Sequence, residues 1–226
     1  MEIAPSLHAV QLRGARGYVV CEREITLIDA GMPGSGRRLE RYLATIGRSL
    51  GELRRIICTH AHPDHIGGAR ELAEQTGAEV MLHGADLSAL GVTLREAWTA
   101  RDRGLLLASL TRGPHAATPL TDGDEIPALG GLRVVHTPGH TPGSICFYAP
   151  RRRILFTGDV LQVIRNRVTF ASRIFSADLP AARASVRRLA DLDVAMIAFG
   201  HYPPWTDDAN AVLARLAARA GSGARP

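Results

Sequence analysis

Six consecutive positions, His60 to His65 in "HAHPDH", hold three imidazoles and one carboxylate. Both groups are suitable ligands for Zn²⁺, and also for Fe or Mn. His60 and His62 lie two apart, so on an extended chain their rings point the same way and can reach one ion. Pro63 ends that extension and suits the first turn of a helix. Asp64 and His65 then fall at the helix start, turned toward a neighbouring point. One short segment can thus address two adjacent metal positions, which a single helix or strand would not do. In a chain of 226 residues with 9 His, the pattern arises by chance on the order of once in a thousand such chains.

Three other segments place a ligand residue beside glycine at the end of a strand-like run. They are His140 in "HTPGHTPGS", Asp159 in "LFTGDV" and His201 in "AFGHYPPW". Strand ends on one side of an α/β layer are where sites assemble. The other histidines have weaker cases. His83 ends a strand, where it can line a pocket or serve structure alone. His115 sits in a loop from which it can reach substrate. His136 faces away from His140, and His8 has no chemical case.

The elements that must position these groups follow from pattern. Short β-rich runs at 18–21 and 25–29 make a hairpin, and "AGMPGSG" is a turn. A helix over 37–46 stops at Gly47, a strand over 54–59 leads into the histidine cluster, and a helix over 69–76 ends at Gly77. A strand follows at 79–83. The second half has strands at 132–137, 144–148, 153–157 and 194–199. "SADLPAARASVRRLADLD" is a helix that Ser176 or Asp178 can cap, with Pro180 in its first turn. A last helix spans 207–220, and 221–226 frays. The segment 88–119 has helical character and is a candidate lid or a packing helix with a surface loop.

Composition bounds the class. With 46% hydrophobic and 22% charged residues, the chain is globular, and its length suits a single domain, 1–226. The net charge of +5 comes entirely from Arg, with no Lys. Arg151 to Arg153 reads as a hairpin turn, and basic residues do not interleave with aromatics, so nucleic acid is not expected as a partner. No apolar run approaches membrane-spanning length, and the N-terminal stretch has no export core. Cys21, Cys58 and Cys146 are far apart in apolar runs, which suits buried thiols in a reducing, cytoplasmic compartment. The expected partner is a small-molecule substrate; oligomeric state is not readable.

These four segments, in this order, resemble the metallo-β-lactamase superfamily, and within it the glyoxalase II-type hydrolases. The resemblance spans roughly Leu12 to His201. It implies an α/β (α+β) fold, a four-layer αββα sandwich of two mixed β-sheets with helices outside. It also implies two Zn²⁺, with Fe or Mn as alternatives. His60, His62 and His140 would hold the first ion, Asp64, His65 and His201 the second, and Asp159 would bridge them. Asp29, in "LIDAG", matches a family position that orients neighbouring loops without binding metal. The implied reaction is cleavage of an ester, thioester or lactone carbonyl by a metal-bridging hydroxide, with Asp64 orienting it or moving its proton. The C-terminal helical extension of glyoxalase II is not expected from these residues, which lowers the expectation of that enzyme's own activity. True β-lactamases of the fold usually carry a leader and no bridging Asp at the position of Asp159. An alternative is a mononuclear non-haem iron persulfide dioxygenase, with iron on His60, His140 and Asp159. Weaker alternatives are β-lactam hydrolysis and a catalytically idle metal-binding domain.

Overall fold

The computed structural model describes residues 1–90, Arg95, Trp98 and 113–221. The chain divides into two compact units, Met1–Leu120 and Thr121–Pro226. Most of the segment read as a lid or packing helix lies outside the described residues, as do residues 222–226.

In the first unit seven strands form one mixed sheet in sequence order: β1 (Glu2–Ala4), β2 (Leu7–Gln11), β3 (Arg16–Cys21), β4 (Ile25–Ile28), β5 (Leu53–Ile57), β6 (Glu79–His83) and β7 (Thr118–Leu120). The first four run antiparallel; β4 to β7 run parallel. Every residue of β4 is buried, as expected where β-branched and leucine side chains are covered on both faces. Helix α1 (Gly36–Thr45) turns Leu39 and Leu43 inward, one above the other at i, i+4 spacing. Next come two short helices, α2 (Pro63–Ile66) and, after α3 (Ala69–Thr76), α4 (Gly84–Ala89). Helix α3 buries Ala69 and Leu72, and Gly77 ends it in the left-handed region at φ 70°, where a residue without Cβ is unstrained. Leu27, Leu39, Leu53, Ile56, Leu72 and Leu82 share this unit's core.

The parallel register positions chemistry. Ile28 pairs with Ile57, and Ile57 with Met81. Asp29, the Cys58–His60 stretch and His83 therefore leave the sheet at one edge, beyond the carboxyl ends of the strands.

The second unit has a five-stranded mixed sheet of order β14-β11-β10-β9-β8, made from β8 (Glu125–Ile126), β9 (Leu132–His136), β10 (Ile145–Ala149), β11 (Ile154–Gly158) and β14 (Met196–Phe199). A separate hairpin pairs β12 (Leu161–Ile164) with β13 (Arg167–Phe170). Helices α5 (Leu179–Ala190) and α6 (Ala209–Gly221) complete the unit, and their Val186, Leu189, Leu213 and Leu216 pack with Leu155, Ile197 and Phe199. Strands β11 and β14 are parallel and end together, Gly158 against Phe199. The Gly200 N–H donates to the Gly158 carbonyl at 3.1 Å, so Asp159 and His201 leave from one edge.

The α/β class with two mixed sheets agrees with expectation, and most expected elements are present within two residues. Asp178, not Ser176, caps α5: its Oδ1 accepts the Ala181 N–H at 2.9 Å. Strands β1 and β2 and the β12–β13 hairpin have no counterpart in the sequence reading. The hairpin turns at Arg165 and Asn166 with φ 49° and 57°, the positive pair of a type I′ turn, without the glycine that flags one.

Cys58 and Cys146 are fully buried, whereas Cys21 is only half-buried, a correction to the expectation of three buried thiols. Burial pushes the Cys146 thiol up to about 12 and raises Cys58 well above its usual value, with the Asp29 charge adding to the effect. A thiolate reagent at pH 8 is expected to leave Cys58 and Cys146 untouched in the native protein and to modify all three cysteines after denaturation. Rapid native reaction of either would contradict this packing.

Candidate metal centre

Each unit carries one set of ligand-type side chains. In the first, His60 follows β5 and His62 is the N-cap of α2, with extended backbone at φ −69° and ψ 146°. Pro63 opens the helix, and the His65 and Ile66 N–H groups both donate to the His62 carbonyl, at 2.9 and 3.0 Å. The strand-to-helix change read from "HAHPDH" is thus realised. His60, His62 and His65 are almost wholly buried. The His60 ring centroid lies 4.7 Å from that of His62 and 4.1 Å from that of His65. The Asp64 carboxylate is partly exposed and lies 3.9 Å from His65 Nε2.

Asp29 sets the orientation of two of these rings. It is 2% exposed and adopts the left-handed φ of 60°. Its Oδ2 is 2.8 Å from His65 Nδ1. The Thr59 N–H donates to Oδ1 at 2.8 Å, and the Thr59 hydroxyl donates to Oδ2 at 2.9 Å. Having given its proton to Asp29, that hydroxyl can only accept from His60 Nδ1, 3.0 Å away. One carboxylate therefore places the Nδ1 protons of both His65 and His60, directly and through Thr59. In a neutral ring the lone pair is then on Nε2, where it can face a metal. Asp86, also buried, accepts the Ala61 N–H at 2.8 Å and fixes the peptide between His60 and His62.

In the second unit, His140 Nε2 lies 3.7 Å from Asp159 Oδ2, and His201 Nε2 lies 3.1 Å from the same oxygen. One carboxylate oxygen thus faces two imidazoles. The Nδ1 of His140 is 3.3 Å from the Ser176 hydroxyl. The loop carrying His201 is closed by Trp205, whose N–H donates to the Ile197 carbonyl at 2.8 Å. Among the remaining candidates, His83 accepts the Ala85 N–H and caps α4. His115 is exposed and pairs with Glu74 at 3.0 Å. His136 Nε2 meets the Pro142 carbonyl at 3.0 Å.

Imidazoles held through Nδ1, together with carboxylates, are a donor set that fits a divalent ion of the zinc, iron or manganese type. The sequence reading did not single out Thr59, Asp86 or Ser176 for the site. Thr59 is beside the motif, whereas nothing local marks Asp86, and Ser176 looked like a helix cap. Gly14 was also missed. At φ +83°, a Cβ placed there would meet Asp64 Cβ and Met32 Cγ, each at 2.8 Å. A Gly14→Ala variant is expected to lose about 1–3 kcal/mol of stability and to shift Asp64. Urea unfolding and metal titration read these effects; unchanged values in both would contradict the close approach.

The sequence matches the family profile described as the metallo-beta-lactamase superfamily over residues 17–201. It is 28% identical to the probable metallo-hydrolase YflN of Bacillus subtilis, across 91% of this chain and 87% of that one. It is 32% identical to a hydroxyacylglutathione hydrolase of Cereibacter sphaeroides, across 66% of this chain and 48% of that enzyme. The crystal structure of a metallo-beta-lactamase family protein from Thermus thermophilus aligns with a TM-score of 0.78. That alignment covers 96% of this chain and 80% of the other, and at 24% identity it speaks for the fold alone. With most of its length inside the family profile and hydrolases among its relatives, the chain belongs to the metallo-β-lactamase superfamily and is a hydrolase of that fold.

Proposed function

We propose that the chain is a dinuclear metal hydrolase that cleaves an ester, thioester or lactone carbonyl. The observation that carries this reading is the arrangement of the imidazoles: His60, His65 and His140 each have Nδ1 engaged by a polar neighbour, which directs Nε2 to serve as ligand. On this reading His60, His62 and His140 hold one ion, Asp64, His65 and His201 hold the other, and Asp159 serves both. Zinc is the first choice, and iron or manganese suits the same donors. The hydroxyacylglutathione hydrolase relative supports a thioester among the substrates.

Two such ions, when bound, supply Lewis acidity toward the carbonyl and a water nucleophile near neutral pH. The protein does the rest. Asp64, partly exposed, takes the proton of the attacking water on its carboxylate and returns it to the leaving group. Asp29 and Thr59 keep two imidazoles in the required tautomer. Neither buried thiol is a nucleophile, because both are held far from ionisation. Free cysteines support a cytoplasmic setting. Among the described residues no helix is long and apolar enough to cross a membrane.

The test combines metal analysis with turnover. Protein reconstituted separately with zinc, iron and manganese is assayed on esters, thioesters and lactones. About two ions per chain and chelator-sensitive hydrolysis agree with the proposal. One iron with oxygen uptake on persulfides moves the chain to the dioxygenase reading. Full metal loading with no hydrolysis across the panel sinks it.

A further inference from the structure

In the second unit, the large apolar side chains left exposed among the described residues are Ile164, Ile174 and Phe175, at 51%, 61% and 50%. All three lie in the segment that connects Asp159 to α5, so this exposure is local and not scattered. Ile164 ends strand β12, and Ile174 and Phe175 occupy the turn that follows β13.

That turn is fastened to a ligand residue. The Ser176 hydroxyl donates to the Ser172 carbonyl at 2.6 Å and lies 3.3 Å from His140 Nδ1. The Ala177 N–H donates to the His140 carbonyl at 3.1 Å, and the Asp178 N–H to the Gly139 carbonyl at 2.8 Å. Asp178 in turn caps α5. Two backbone bonds and one side-chain contact thus tie residues 176–178 to the His140 loop. Phe175 is one Cα step, about 3.8 Å, from the serine that touches the ligand ring. An apolar pair that directly precedes the segment tied to the His140 loop, and is left open to water, suits an apolar group carried by the substrate.

We infer that Ile174 and Phe175 form a subsite for the aliphatic or aromatic chain attached to the reacting carbonyl, and that the substrate is a carboxylic ester, thioester or lactone with such a chain. This rests on the hydrolase reading for the reaction but not for the binding. The subsite selects by apolar area, with no charged partner needed on the chain.

The experiment is calorimetric titration of the zinc-loaded full chain with acetate, butanoate, hexanoate and octanoate, which carry the acyl portion of a hydrolysis product. Burying methylenes on a half-open ledge is expected to tighten binding about twofold per CH₂, less than the roughly fourfold of full burial, so octanoate, longer than acetate by six methylenes, should bind on the order of 60-fold more tightly. A double variant, Ile174→Ser with Phe175→Ser, should flatten that dependence while leaving acetate affinity and metal content unchanged. Ile174→Leu with Phe175→Leu should preserve the dependence. Equal binding of acetate and octanoate by the unmodified protein overturns the inference, and so does an undiminished dependence in the serine variant. A dimer in sedimentation that the serine variant dissolves also overturns it, by giving the ledge to a second copy. Chain-length-dependent binding without turnover of any ester, lactone or thioester leaves the subsite standing and removes the hydrolase reading instead.

Discussion

An Asp29→Asn variant is expected to bind metal about 10- to 100-fold more weakly and to lose hydrolytic activity by at least the same factor. The carboxylate accepts from His65 Nδ1, the Thr59 N–H and the Thr59 hydroxyl. An amide keeps the shape but offers one acceptor oxygen and a donor nitrogen. Where that nitrogen faces His65 or Thr59, the ring proton moves to Nε2 and the lone pair needed by an ion is lost. Asparagine tolerates the positive φ of position 29, so the effect is separable from backbone strain. Asp29→Ala adds buried donors without an acceptor, at about 1–3 kcal/mol each, and should also lower stability. Competition titration with a chromophoric chelator reads the metal term, and urea unfolding of the metal-free protein reads the fold term. Thr59→Val should reproduce part of the metal loss, because it breaks only the relay to His60. Unchanged metal affinity in both Asp29→Asn and Thr59→Val would refute the orienting role.

An Asp159→Ala variant is expected to lose at least one ion per chain and to drop in kcat/KM by on the order of a thousandfold or more. Its Oδ2 lies near two imidazoles, at 3.7 Å and 3.1 Å, and it follows a strand end held in register with β14. Removing it takes away the group proposed to serve both ions and leaves the two imidazoles without their carboxylate. Elemental analysis after gel filtration, with kinetics on the best substrate of the panel, reads both effects. Two retained ions with full activity would show that Asp159 serves neither.

The candidate ligand residues stand out in the sequence because their signal is local. "HAHPDH" carries its own strand-to-helix change in Pro63, and His140, Asp159 and His201 each sit beside a glycine at a strand end. The elements around them were legible for the same reason, since α3 stops at the glycine that its pattern predicts. What stayed hidden depends on approach through space. Thr59 matters because parallel pairing of β4 with β5 brings Asp29 beside it. Gly14 matters because the turn between β2 and β3 comes against Asp64. Ser176 has the chemistry of a helix cap, but Asp178 takes the cap and leaves the serine to His140. The β12–β13 hairpin was missed because arginine and asparagine adopt the conformation that glycine ordinarily announces.

The central proposal is a pair of ions, one on His60, His62 and His140 and the other on Asp64, His65 and His201, with Asp159 serving both. Diffraction data collected at the zinc absorption edge, on crystals of the reconstituted protein, test it most directly. The account predicts two anomalous peaks about 3.5–4 Å apart, one ligated by His60, His62 and His140, the other by Asp64, His65 and His201, with Asp159 reaching both. A single peak, or ions held by the residues of one unit alone, would contradict it.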